Sequence, residues 1–146
     1  MEAHGAILQQ YNHMVDEVKD PSLWAREMFA DNATFSLGNF PAASGHEEIA
    51  NAAQGVYNMC AGLRHQGTKL HSVSSDVFVS EGTVTYTMAG GRILPPIPLV
   101  SVFELSPGTK MIQNYRAYVD IGPLFIAAGM DITADEDGKP TYVPRK

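Results

Sequence analysis

Lys110-Met-Ile-Gln-Asn-Tyr-Arg-Ala-Tyr-Val-Asp120-Ile-Gly-Pro-Leu-Phe125 decides how this chain is read. It is predicted to be one long strand that ends at Gly122-Pro123, where proline cannot donate to a ladder and glycine breaks the extended run. Along it Tyr115, Ala117 and Val119 share one face, while Arg116, Tyr118 and Asp120 share the other. Such a strand can close a core. It also carries an aspartate at its end, where the mouth of a pocket would lie.

Before this strand, Ser106-Pro-Gly-Thr109 is a hairpin turn and Leu99-Val-Ser-Val-Phe-Glu-Leu105 is the preceding strand. Pro95-Pro96-Ile-Pro98 reads as loop or sheet edge. Thr83-Val-Thr-Tyr-Thr-Met88 is dense in β-branched and aromatic residues and predicts another strand. Glu81-Gly82 is expected to turn the chain before it. Lys69 to Ser75 is the first strand, with Val77-Phe-Val79 as its extension.

The N-terminal half is helical. Ile7, Leu8, Tyr11, Met14, Val15 and Val18 follow helical spacing from Ala3 to Val18. Pro21-Ser22 opens a second helix carrying Leu23, Trp24, Met28 and Phe29. A short strand follows in Ala30–Leu37, then a loop to Gly45. A third helix runs from Gly45 through Ile49, Ala53, Val56, Tyr57 and Cys60 to near Gly62. Leu124 to Met130 predicts a short helix, and the tail from Thr133 is expected to be loose. Three helices followed by antiparallel strands give an α+β class, with the helices on one face of a curved, mostly antiparallel sheet.

The 146 residues suit one domain, assigned to 1–132 with 133–146 as a tail. Hydrophobic residues at 45% and charged residues at 18% argue against disorder. A net charge of −6 without a Lys/Arg cluster argues against nucleic acid and anionic membranes as partners. The single cysteine, Cys60, excludes an internal disulfide and suits a reducing compartment. Among apolar neighbours it reads as a buried thiol or, alternatively, a nucleophile. There is no basic leader and no apolar run near 20 residues, so a soluble, cytoplasmic protein is expected.

The order Phe29-Ala-Asp-Asn-Ala-Thr-Phe35, Gly45, Leu99–Leu105, Gly108 and Tyr115-Arg-Ala-Tyr-Val-Asp120 followed by Pro123-Leu-Phe resembles the nuclear-transport-factor-2-like superfamily. Within it the chain is most similar to SnoaL-like polyketide cyclases and their small fungal relatives, over roughly residues 5–128. The resemblance implies a cone-shaped α+β barrel whose curved sheet wraps the helices around a deep pocket, and it implies homodimers. It further implies a cofactor-independent isomerase or cyclase of polyketide or terpenoid biosynthesis, acting on a bulky apolar small molecule. An epoxide hydrolase or dehydratase, and a non-catalytic binding module, are the alternatives on the same fold.

Asp120 is the first catalytic candidate. Between Val119 and Ile121 its carboxyl can be desolvated toward a useful acid or base, and it matches the acid/base aspartate of the SnoaL-like cyclases. Its parity requires a bulge or twist to turn it inward; otherwise it caps the following turn. His71, similar in position to the pocket histidine of scytalone dehydratases, reads as a proton shuttle or as a half-buried histidine bonded to backbone. His65 is placed at a strand start or in the preceding loop. Tyr11 falls where ketosteroid isomerases hold an oxyanion-binding tyrosine, or else is core. Trp24, Tyr57, Tyr86, Met88 and Phe103 suit pocket wall or core. Ser101 matches a second oxyanion donor of the isomerases. The resemblance to the isomerases implies that the Tyr115 face lines the pocket, and Arg116 is either a site cation or a surface one. Glu47 and Glu48 serve a helix dipole or close over the mouth. Ala117 stands where limonene-type epoxide hydrolases carry an aspartate, and no carboxylate lies at Leu37–Asn39, where the isomerases place their base. The histidines lack zinc spacing and no phosphate loop is present, so no metal or cofactor is expected.

Overall fold

The computed structural model describes residues 2–145. Its elements are α1 (Glu2–His13), a π-helical turn (Met14–Val18), α2 (Pro21–Met28), β1 (Phe29–Leu37), β2 (Ala43–Ser44), α3 (Gly45–Tyr57), β3 (Gly62–Ser72), β4 (Val77–Thr87), β5 (Ile97–Leu105), β6 (Ile112–Val119), α4 (Gly122–Ala127), β7 (Met130–Ala134) and β8 (Pro140–Pro144). The three N-terminal helices thus stand as expected. The first is not uniform, however: its last turn widens to π geometry and ends at Lys19, a left-handed residue (φ 58°) whose N–H donates to the Met14 carbonyl at 2.9 Å. Pro21 opens α2, and the Asp20 side chain caps it by accepting from the Leu23 N–H at 3.2 Å.

Six strands form one sheet in the order β2-β1-β6-β5-β4-β3. β1 lies parallel to β6 and the other neighbours are antiparallel. β6 is therefore a central strand, and its alternation buries Tyr115 and Ala117 while Tyr118 is exposed. The single strand expected from Lys110 to Gly122-Pro123 is shortened at both ends: it begins at Ile112, and the chain leaves the ladder at Asp120. Pro98 lies within β5 rather than outside it. It is tolerated because β6 has already ended opposite Leu99, which leaves Pro98 no partner on that side.

Three further expectations are corrected. Glu81-Gly82 is mid-strand in β4, and the turn falls at 73–76. β3 also begins at Gly62, seven residues before Lys69. The two hydrophobic runs looked separate because a β-bulge interrupts the hairpin between Gln66 and Lys69, with Gly67 left-handed at φ 62°. Gly82 faces that bulge; a Cβ on it would lie 2.5 Å from the Gln66 carbonyl oxygen. The tail from Thr133 is likewise ordered: β7 and β8 pair antiparallel from Met130 to Pro144.

The core lies between the helices and the inner face of the sheet. Trp24, Phe29, Ile49, Phe78, Phe103, Ile112 and Leu124 are its fully buried anchors. Phe78 and Phe103 stack at 4.5 Å between ring centroids. Among the described residues no helix is long and apolar enough to cross a membrane.

Gly82→Ala should destabilise the fold by about 1–3 kcal/mol, because the added methyl meets backbone that cannot swing away. Urea denaturation of the two proteins measures it, and an unchanged midpoint would show that the hairpin relaxes freely.

Candidate active site

An apolar cavity opens between α1, α2, α3 and the sheet, lined among others by Tyr11, Val15, Trp24, Phe35, Tyr57, Leu63, His65, Tyr86, Tyr115 and Ala117. Tyr11 comes from the inner face of α1, and Trp24 from α2 with its indole only 1% exposed. Tyr115 and Ala117 come from the buried face of β6, as strand parity predicts. Beyond Phe35, Leu37 and Val56, which also line the inner space, lies an outer chamber of about 420 Å³. The inner one holds about 60 Å³.

The one ion-pairing group on the inner wall is a dyad. His65 Nδ1 lies 2.6 Å from Asp16 Oδ1, and the His65 backbone N–H donates to Asp16 Oδ2 at 2.8 Å. Both side chains are nearly enclosed, 12% and 13% exposed. Two local features assemble the pair. The π-turn brings Asp16 toward the face of Tyr11, from which a regular helix would turn it away. The β3 bulge then sets parity: Leu63 and His65 face inward before it, and the extra residue turns His71 outward after it.

A carboxylate oxygen only accepts, so the bond to Asp16 holds His65 Nδ1–H as the donor and turns Nε2 away from the carboxylate. Phenols surround it. Tyr115 OH and Ser101 Oγ are 3.0 Å apart, both buried, and the Tyr11 phenol interacts with that of Tyr115. Tyr57 OH donates to the Val15 carbonyl at 2.6 Å. Burial pushes the Tyr57 phenol up to about 12 and holds Tyr11, Tyr86 and Tyr115 above the ordinary phenol range. These phenols are therefore donors at neutral pH.

The cavity gathers five of the candidates, Tyr11, Trp24, Tyr57, Tyr86 and Tyr115, and excludes others. Asp120 is exposed; no bulge turns it inward, and its Oδ1 accepts from the Gly122 N–H at 2.9 Å, so it caps the turn into α4. His71 lies outside, 47% exposed and 2.9 Å from Glu81 Oε2. Arg116 faces away and pairs with Glu104 at 2.9 Å. Phe103 is buried in the core behind the wall, Ser101 reaches the cavity only through Tyr115, and Met88 lines a separate surface groove. Glu48 accepts from the Ser44 N–H at 3.2 Å, and Glu47 is exposed in the first turn of α3, so both serve the helix start. Cys60 is half-buried, and desolvation raises its thiol.

Asp16 carried no sequence signal, because its usefulness depends on a π-turn that apolar spacing does not show. His65 had one: Leu63 and His65 alternate as strand residues do, ahead of the glycine that breaks the run.

No protein-family model and no curated protein matches the chain. Solved structures do. A protein with a ketosteroid isomerase-like fold from Catenulispora acidiphila, in complex with trimethylamine, aligns at a TM-score of 0.70 with 14% identity over 84% of this chain and 92% of that one. A candidate polyketide cyclase from Xanthomonas campestris aligns at 0.70 with 13% identity, over 85% and 95%. Nuclear transport factor 2 from Cryptosporidium parvum aligns at 0.63 with 16% identity, over 80% and 90%. The fold is that of the SnoaL-like and nuclear-transport-factor-2-like proteins, an α+β cone.

The raised phenols give an alkaline prediction. In the unfolded chain they titrate near pH ~10, and below that both states keep their protons. From about 10 to 12 the unfolded chain releases protons that the folded chain holds, so stability falls as pH rises. Tyr57→Phe should flatten the decline in melting temperature over that window, whatever it does at neutral pH. An equally steep decline in the variant would show that Tyr57 does not contribute.

Proposed function

We propose that the chain is a cofactor-independent isomerase or cyclase of natural-product type, using Asp16–His65 as its acid/base pair. The observation that carries this is the dyad itself: an imidazole clamped by a carboxylate on the wall of an otherwise apolar cavity. Proton transfer next to a carbonyl needs a base that keeps one orientation while its charge changes. Asp16 supplies the orientation and stabilises the imidazolium that forms, and the apolar walls keep water from competing for the proton.

In the proposed step His65 Nε2 takes a proton from the carbon α to a substrate carbonyl. The C–H electron pair moves into an enolate, whose oxygen needs a donor. Tyr115 fits: with Ser101 Oγ donating in its 3.0 Å bond to the Tyr115 oxygen, the phenol proton is left for the substrate. The imidazolium then returns the proton to the γ-carbon in an isomerisation. In a cyclisation the enolate carbon attacks a second carbonyl carbon, and the imidazolium protonates the resulting alkoxide. No electrons leave the substrate in either case. Fold neighbours named as polyketide cyclases and isomerases support the class.

The test is conversion of β,γ-unsaturated cyclic ketones to their conjugated isomers, followed by ultraviolet absorbance and by loss of the α-deuteron. His65→Gln and Asp16→Asn should each lower kcat on the order of 10²–10⁴-fold, and Asp120→Asn should leave it unchanged. Full activity in His65→Gln, or loss in Asp120→Asn with the dyad intact, would overturn the assignment.

A further inference from the structure

An α-helix sends each backbone N–H to the carbonyl four residues back. The first helix breaks that rule at its end: the Lys19 N–H, due at Val15, goes to Met14 at 2.9 Å. Lys19 is left-handed there, at φ 58°, a conformation that non-glycine residues seldom adopt. The Val15 carbonyl thereby loses its α-helical donor, although Val15 is buried. A buried carbonyl without a donor is costly, so the widened turn needs one from outside the helix.

Tyr57 supplies it from α3. Its hydroxyl donates to the Val15 carbonyl at 2.6 Å. The direction of that proton is set from behind, because the Trp24 indole N–H lies enclosed beside the Tyr57 oxygen. Indole donates and cannot accept, so the phenol proton turns from it toward Val15. A phenylalanine ring would line the same apolar wall, which Tyr57 and Val15 both help to form. What tyrosine adds is a hydroxyl that the π-turn requires.

That turn carries Asp16, whose two oxygens accept from His65. With the turn regular, the Lys19 N–H would satisfy Val15, the Tyr57 hydroxyl would not be needed there, and Asp16 would point away from β3. With the turn widened, Lys19 bonds to Met14, Tyr57 bonds to Val15, and Asp16 reaches the imidazole. The hydroxyl is the group that distinguishes the two registers.

We propose that Tyr57 is a positioning residue: its hydroxyl selects the π register of this turn over the α register, and that choice brings Asp16 onto His65. The consequence for turnover rests on the proposed acid/base pair, whereas the register itself can be read without any substrate.

Scalar couplings across hydrogen bonds read it directly. In the wild type the Lys19 ¹⁵N should couple to the Met14 carbonyl carbon. In Tyr57→Phe it should couple to that of Val15 instead, and the His65 Nδ1 proton should lose its downfield, hydrogen-bonded position. Tyr57→Leu, which also lacks the hydroxyl, should switch in the same way. Isomerisation of the β,γ-unsaturated ketone by Tyr57→Phe should fall about 10²-fold in kcat, with KM held within about two-fold. A Lys19–Met14 coupling that persists in a folded variant, or that the wild type lacks, sinks the assignment. Failure of both variants to fold would do the same, by placing the role of Tyr57 in the fold and not in the turn. A switched register beside a fully active His65→Gln would instead remove the acid/base pair and uphold the selection of the turn by Tyr57.

Discussion

The site depends on one carboxylate holding one residue twice. Asp16 accepts from both the backbone N–H and the imidazole of His65, which ties the end of the first helix to the first long strand. The backbone bond fixes where β3 begins relative to the π-turn, and the side-chain bond fixes the ring. A carboxylate bound only to the ring would leave the helix free to slide along the strand, and the ring would follow it. With both oxygens used, the orientation of the imidazole and the helix–sheet register become the same constraint. The widened turn matters for this reason: a regular α-helical turn would direct Asp16 away from β3.

The second constraint lies across the hairpin. Gly67 in left-handed conformation and bare Gly82 opposite it permit one extra residue in β3. That residue divides the strand into two parities, so His65 points into the cavity and His71 points to solvent, although they are six positions apart. An unbulged strand would place both inward and leave two imidazoles competing for one wall. The bulge therefore selects which histidine belongs to the site.

These two devices also explain how far the sequence could be read. Element types and order were legible because helical spacing in Ile7–Val18 and alternation in β5 and β6 report burial directly. Parity separated Tyr115 and Ala117 from Arg116 onto opposite faces, but it left open which face lines the cavity and so whether Arg116 enters it. Asp120 required an irregularity to face inward, and the strand is regular there. The pair that does enter the cavity relies on irregularities the pattern hides, a π-turn and a bulge, both of which break the periodicity used to find elements. Glu81-Gly82 misled for the same reason: glycine stands there to admit its neighbour's bulge, a contact between strands that no local window contains.

The cavity chemistry follows from what burial does to its groups. Every phenol on the inner wall is pushed toward its neutral form by desolvation, so all of them donate and none competes with the imidazole as a base. Their partners differ, and so do their uses. Tyr57 spends its proton on the Val15 carbonyl and braces the π-turn. Tyr115 shares a hydrogen bond with the buried Ser101 hydroxyl, which holds its phenol oxygen at the inner wall. The Trp24 N–H is fully enclosed beside the Tyr57 oxygen, whose anion it would favour. On the inner wall these groups and the Asp16–His65 pair stand among apolar side chains. The empty space follows the same division, narrow where the polar groups gather and wide where the lining is apolar.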